Sequence, residues 1–336
     1  MKKQLTNQFE FGLRQLDMLD DISPDSTGLL FTDDIDIYEP PLYERLAAEK
    51  AKGYEADGVY FRRFQNGRVS APQIYIFDFT QKEMNDDEIA LLHRKLWNAG
   101  QVPLFFIFTK TEIKVFNCLK APGFDPEQVK FTTSPMEILK LAAEAEDELN
   151  EKKRKEFSAR KFDNGSFWDT SQYKDQFKLD DSSYESLLKH LKKIRTDILK
   201  KNILKESIIQ KLLVIAILVK YLEERIDKDG NTVFPPDFFS RFAEGATYFT
   251  GVLRTKGACL ELFDYLGNHF NGEIFKWEDK EERELLARTD LSQFARFIEG
   301  RTDITGQGTL WPLYSFNDLP IELISNIYEE FNIVVN

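Results

Sequence analysis

The chain has 336 residues, 42% hydrophobic, 13% aromatic and 30% charged, with a formal net charge of −12. Such a composition excludes a disordered chain and suits two folded domains, while the acidic balance argues against a protein coated in nucleic acid, so that any contact with phosphates must be local. Two distant cysteines, Cys118 and Cys259, offer neither a disulfide framework nor a zinc site and fit a cytoplasmic protein.

The N-terminal run starts basic but lacks the apolar segment of a signal peptide. Pro40 and Pro41 open a helix that Gly53 ends. Two β-rich runs follow, 58–64 and 73–80, separated by the turn residues Asn66 and Gly67. A helix is expected over 86–98, with Ile89, Leu92, Leu96 and Trp97 on one face and Gly100 closing it. Residues 103–109 and 112–118 read as two strands, the first apolar on both faces like a central strand. Residues 136–155 are expected to form one long amphipathic helix, whose charge run EAEDELNEKKRKE is a solvated face. Between 156 and 182 the period breaks, and Phe162, Phe167, Trp168 and Tyr173 suggest a connector packed on a domain. From 183 onward helices dominate: one to about 201, another over 206–225, a stretch opened by Asp237, then 256–270, 285–297 and a last one from Pro320. The apolar run 212–219 is too short for a bilayer, which takes about twenty residues, and reads as a buried helix with no membrane partner.

Helix, Asp57 beside a strand, a strand ending at Asp78, helix, then paired strands: this order, over residues 40–120, resembles the PD-(D/E)xK nuclease core of type I restriction enzymes. In that chemistry two acids hold a divalent cation and a lysine helps activate water. The resemblance matches Asp57 and Asp78 to the acids, places Thr80 where the lysine belongs, and makes Glu44 an auxiliary acid. It implies an α/β restriction-endonuclease-like domain over 1–155, with Mg²⁺ possible at Asp57 and Asp78. Threonine carries no charge to stabilise a developing phosphate anion. Lys82 would share a face with Asp78 and Thr80 only if the strand ran on, and residues 81–85 read as a loop. Three readings stay open: a silent nuclease fold, a living Mg²⁺-dependent endonuclease, and ordinary turn and strand-end acids.

The second half resembles the helical region preceding the catalytic domain in fused bacterial restriction–modification adenine-N6 DNA methyltransferases of type IIG character. The match rests on KLLVIAILVKYLEERIDKDGNTVFP, LFDYLGNHFNGEIF and residues 310–331. It implies an all-α helical domain over 183–336, followed by an S-adenosylmethionine-binding part, either a further domain or a separate chain. The chain itself lacks methylating chemistry. Pro40-Pro41 lies in Glu-Pro-Pro-Leu and Pro235-Pro236 in Phe-Pro-Pro-Asp, so neither offers the amide or acid, with a following aromatic, that would hold a flipped adenine. One stretch, residues 189–205, sets Lys189, Lys192, Lys193, Arg195, Lys200, Lys201 and Lys205 against one acid, Asp197. Leu188, Leu191, Ile194 and Ile198 form its apolar stripe, so the bases fan over the solvent side, as in a phosphate-contacting helix. Arg62, Arg63 and Arg68 flank the nuclease-like strands and are a second candidate DNA contact.

Other signals carry little. Gly230 and Phe238 occupy the wrong positions for a calcium loop starting at Asp227. His93, His190 and His269 lack ligand spacing, and no phosphate-loop or nucleophile-elbow motif occurs. The resemblance therefore implies a DNA-engaging module of a restriction or phage-defence methyltransferase, with double-stranded DNA and the methyltransferase part as partners. The alternatives are the living endonuclease and an interaction scaffold that docks a separate methyltransferase chain.

Overall fold

The computed structural model describes residues 5–19, 27–64, 68–125, 127–141, 148–200, 204–227, 229–270, 273–299 and 313–332. The chain divides into two compact units, the first comprising Met1–Gly123 with Lys130–Ser182, the second Ser183–Asn336 with Phe124–Val129. Asn66 and Gly67, Lys201, and the run from 300 to 312 lie outside the described residues.

The first unit is built on a mixed six-stranded sheet. Its elements are α1 (Asn7–Gln15), β1 (Leu29–Phe31), the short α2 (Ile35–Tyr38), α3 (Leu42–Gly53), β2 (Gly58–Arg62), β3 (Ala71–Asp78), α4 (Asp86–Ala99), β4 (Leu104–Phe108), β5 (Glu112–Asn117), the short β6 (Gly123–Asp125), of which only Gly123 belongs to this unit, and β7 (Lys130–Thr132), β8 (Glu137–Lys140), α5 (Glu148–Glu156), α6 (Ala159–Asp163) and α7 (Ser166–Thr170). The sheet order is β1-β2-β3-β4-β5-β8. β3 and β4 are parallel and joined through α4, while the other neighbours are antiparallel. Asn85 starts α4 with a capping box to Glu88, which satisfies two N-terminal donors reciprocally.

Strand alternation sorts the side chains into two cores. Tyr60, Ile74, Ile76, Phe106 and Phe108 face α1, where Phe9 and Leu13 pack on them. Val59, Phe61, Tyr75, Phe77, Phe105 and Ile107 face Ala48 and Ala51 of α3 and Leu92 and Leu96 of α4. All five residues of β4 are buried, and each such side chain stabilises by about 1.5–3 kcal/mol relative to exposure. Residues 156–182 complete the first core, since Phe157, Phe162, Phe167 and Tyr173 are buried in it.

The expectation of one helix over 136–155 is corrected. Met136 donates its N–H to Val115, β8 then pairs with β5, and the described helix is Glu148–Glu156. Leu139 is fully buried while Ile138 is partly exposed, so the segment alternates as an edge strand does. The part of the charge run from Glu148 to Glu156 forms a solvated helix, with no buried residue in α5 and a Lys155–Glu151 ion pair of 2.5 Å; its first four residues lie outside the described ones.

The second unit is helical over its described residues 183–332, apart from an isolated bridge between Ile226 and Thr232. It comprises α8 (Ser183–Leu199), α9 (Glu206–Glu224), α10 (Phe249–Arg254), α11 (Ala258–His269), α12 (Lys280–Arg288), α13 (Ser292–Ile298) and α14 (Ile321–Asn332). Its centre is α9, buried along the apolar run from Leu212 to Ile217, with α8 and α14 packed on it. Asp237 opens no long helix: it takes a left-handed φ of 61° and only a 3-10 turn, Phe239–Arg241, follows. The stretch expected over 285–297 is two helices, because α12 ends at Arg288 and α13 starts at Ser292.

Candidate functional site

The carboxyl end of β3 and the start of β2 are neighbours because the two strands pair antiparallel, Gly58 opposite Ile76. This register brings Asp57 to the end of β3. Its Oδ2 accepts the main-chain N–H of Asp78 at 2.6 Å, and its own N–H donates to the Ile76 carbonyl at 2.8 Å. Asp78 in turn folds its carboxylate back along the chain. Its Oδ1 accepts from the Thr80 N–H at 3.0 Å and from the Thr80 hydroxyl at 2.6 Å. Thr80 is fully buried, and its Oγ1 also lies 2.8 Å from the Thr6 hydroxyl. Thr6 caps α1 by accepting from Phe9 N–H at 3.2 Å. Asp57, Asp78, Thr80 and Thr6 thus form one hydrogen-bonded chain from the start of β2 to the start of α1.

Two acids and a third residue two positions on are therefore brought together in the expected order. Their chemistry differs from that of a metal-holding site. One oxygen of Asp57 is committed to a main-chain donor and one of Asp78 to two donors from Thr80. The group at the lysine position is neutral and buried. Among the described residues no cluster of three or more His, Cys, Asp or Glu side chains gathers anywhere. Mg²⁺ demands near-octahedral oxygens and sheds water reluctantly. As arranged, the pair serves as hydrogen-bond acceptors for the strand ends.

Glu44 does not join the acids. It is buried at 2% exposure, with Arg63 donating Nε to its Oε1 at 3.1 Å and Nη2 to its Oε2 at 2.9 Å, and Ser70 donating at 2.6 Å. These partners flank the opposite ends of the two strands, where Arg62 pairs with Ala71. Four residues of strand separate that end from Gly58, roughly 13 Å at about 3.3 Å each. Glu44 therefore holds α3 to the β2–β3 hairpin.

The arginines expected on DNA are engaged within the unit. Arg63 also donates to the Thr27 carbonyl at 2.7 Å. Arg62 donates to the Asp163 carbonyl at 3.2 Å and lies over the Phe64 ring at 4.9 Å. Its guanidinium sits so close to Gly165 that a Cβ there would approach Nη1 to 2.5 Å, and Gly165 has φ of 81°. The positive φ favours glycine at that turn, whereas the guanidinium, at the end of a flexible side chain, can shift. Lys82 is exposed on the loop after β3 and lines a cavity with Phe79, Met84 and Ile107. β3 ends at Asp78, so the strand that would have carried Lys82 toward the acids does not continue.

In the second unit, the apolar stripe of α8 is buried at Leu188, Leu191 and Ile194, and Lys189, Lys192, Lys193 and Lys200 are exposed. Several of its bases have acidic partners. Lys192 pairs with Glu330 at 2.8 Å, Lys200 with Asp197 at 3.1 Å, and Arg195 with Glu206. Lys205 is exposed at the N-cap position of α9, and Lys201 lies outside the described residues. Exposed pairs of this kind are worth about 0–1 kcal/mol, so a phosphate can displace the acid without a large cost.

The residue pattern alone did not mark Thr6 and Ser70 as partners. Nothing local distinguishes either: Thr6 meets Thr80 across 74 residues and Ser70 meets Glu44 across 26. The signal within reach was the pairing of opposite charges, since Glu44 and Arg63 were the acid and base flanking the same strand. Compared with known proteins, the chain matches no family model, no characterised protein and no solved structure.

Proposed function

We propose that the first unit is a nuclease-like DNA-engaging module that has lost its cutting chemistry, and that the chain serves the DNA-handling part of a restriction or phage-defence adenine methyltransferase. The observation that carries this reading is the Asp57–Asp78–Thr80 constellation. It stands at adjacent ends of β2 and β3, after α3 and before α4, with a buried hydroxyl where a charged lysine would work. The mixed α/β sheet with helices against both faces agrees with a restriction-endonuclease-like fold. The exposed lysines of α8 supply the phosphate contacts, and the all-helical second unit is where the methyltransferase part would attach.

Catalysis by the acid pair would need charge stabilisation that Thr80 does not provide, and removal of one such stabiliser costs on the order of a hundredfold or more in rate. The chain alone should leave plasmid DNA intact in Mg²⁺ or Mn²⁺. Cleavage that disappears in Asp57→Ala would overturn the silent reading. Duplex binding should weaken steeply with salt, as phosphate contacts release counterions. Lys192→Glu with Lys193→Glu, Lys200→Glu and Lys201→Glu should weaken it further. Unchanged affinity after that charge reversal would remove α8 as the contact surface.

A further inference from the structure

A cavity of about 400 Å³ opens at the carboxyl ends of the parallel strands β3 and β4. Its position follows from the topology. After β3 the chain leaves through residues 79–85 into α4, and after β4 it turns at 109–111 into β5. The two connections part and leave a crevice beyond the strand ends, where open α/β sheets receive ligands. The lining has two characters. Phe79, Met84, Ile89 and Ile107 give an apolar floor, and Lys82, Lys110 and Lys114 stand in the wall. Asp78 and Thr80 are not part of it, being tied to each other and to Thr6.

The three lysines face two acids in the same lining, Glu83 and Glu112. Only Lys114 has an acid within ion-pair range, Glu112 at a long 3.8 Å. Lys82 and Lys110 form no ion pair among the described residues, and both are exposed. Two unmatched ammonium groups and a loosely held third thus belong to the lining of one crevice, which carries a surplus positive charge in this acidic chain.

We propose that this crevice binds a single nucleotide, with its phosphate on Lys82, Lys110 and Lys114 and its base against Phe79 and Met84. The volume fits one small ligand, since such sites run to roughly 300–1,000 Å³, and it is far too small for a duplex. The partly exposed Phe79 and Met84 supply apolar contact for a base, and the ammonium groups supply charge-assisted donors for the phosphate. The site is separate from α8 and from the acid pair, so it stands whether or not the unit engages duplex DNA.

The test is calorimetric titration of the full chain with dAMP, deoxyadenosine and inorganic phosphate. dAMP should bind saturably, and each half-ligand should bind at least about tenfold more weakly, because a hydrogen bond to a charged group alone is worth that factor. Lys82→Glu with Lys110→Glu, two exposed changes, should reduce dAMP affinity by about tenfold or more while the thermal unfolding midpoint stays put. A single-stranded oligonucleotide ending in a 5′-phosphate, compared with its unphosphorylated form, identifies whether a strand end is the source of the nucleotide. Absence of saturable dAMP binding, equal affinity for phosphate and dAMP, or indifference to the double charge reversal would each overturn the proposal.

Discussion

Thr80→Val separates a structural hydroxyl from an inert buried one. Valine keeps the β-branched shape and nearly the volume, so packing around this fully buried side chain changes little. What disappears is the donor to Asp78 Oδ1 at 2.6 Å and the 2.8 Å contact to Thr6. The Thr80 main-chain N–H still reaches Asp78 at 3.0 Å, and Thr6 still caps α1, so one charge-assisted hydrogen bond is the net loss. Hydrogen bonds to charged groups contribute about 1.5–3 kcal/mol, and the expected destabilisation is about 2 kcal/mol. Thr80→Ser keeps the hydroxyl and loses one methyl, about 0.8 kcal/mol. Urea unfolding is followed through tryptophan fluorescence, to which Trp97 and Trp168 contribute from the first unit, and the midpoint shift multiplied by the slope gives each difference. Valine should cost more than serine. Valine as stable as wild type, with serine weaker, would refute the hydrogen-bonded chain and return Thr80 to simple packing.

His93 gives a pH signature. It is buried with Nδ1 2.6 Å from the Thr133 hydroxyl and Nε2 2.9 Å from the Asn117 carbonyl, and burial pushes its pKa down to about 4. A folded pKa below the unfolded value of about 6.5 means the fold favours the neutral ring. Its contribution is therefore complete above about pH 6.5 and is lost as pH falls toward 4, reaching about 3 kcal/mol at one unit per 1.36 kcal/mol. An NMR titration of the His93 ring should place its midpoint near 4, and a midpoint near 6.5 would contradict the buried geometry. Glu44→Ala should cost about 2 kcal/mol in unfolding experiments, since it strands Arg63 and Ser70, and the half-exposed Arg63 keeps the loss below the 3–5 kcal/mol of a fully buried pair. Glu44→Ala with no loss of stability would place the auxiliary-acid role back in question. Calorimetry with S-adenosylmethionine should show no saturable binding in the micromolar range, and such binding would refute the inference that the methylating motifs are missing.

The sheet was legible where one period ruled the residues. β4 is buried on both faces and reads as an unbroken apolar run, and α4 shows its apolar stripe between Asn85 and Gly100. β8 was not legible, because four residues with one buried leucine sit inside a longer stretch of helical period, and pairing with β5 decides their state. Tertiary context overrides propensity in such short strands. The candidate site was half legible. The order of Asp57, Asp78 and Thr80 along the chain carried over to neighbouring strand ends, because β2 and β3 are consecutive and antiparallel. The roles of Glu44, Arg62 and Arg63 did not carry over, since a residue type says nothing of which end of a strand its partner occupies. The lysine pattern of α8 showed its solvent side but not the acids brought from α14 and α9.

The most direct test of the central claim is a mobility-shift assay on end-labelled duplex DNA, run with the full chain in Mn²⁺ at low and moderate salt. A retarded band containing full-length duplex, fading as salt rises, is the outcome expected of a module that holds DNA without cutting it. Shortened product, or a duplex that migrates freely at every protein concentration, would contradict it.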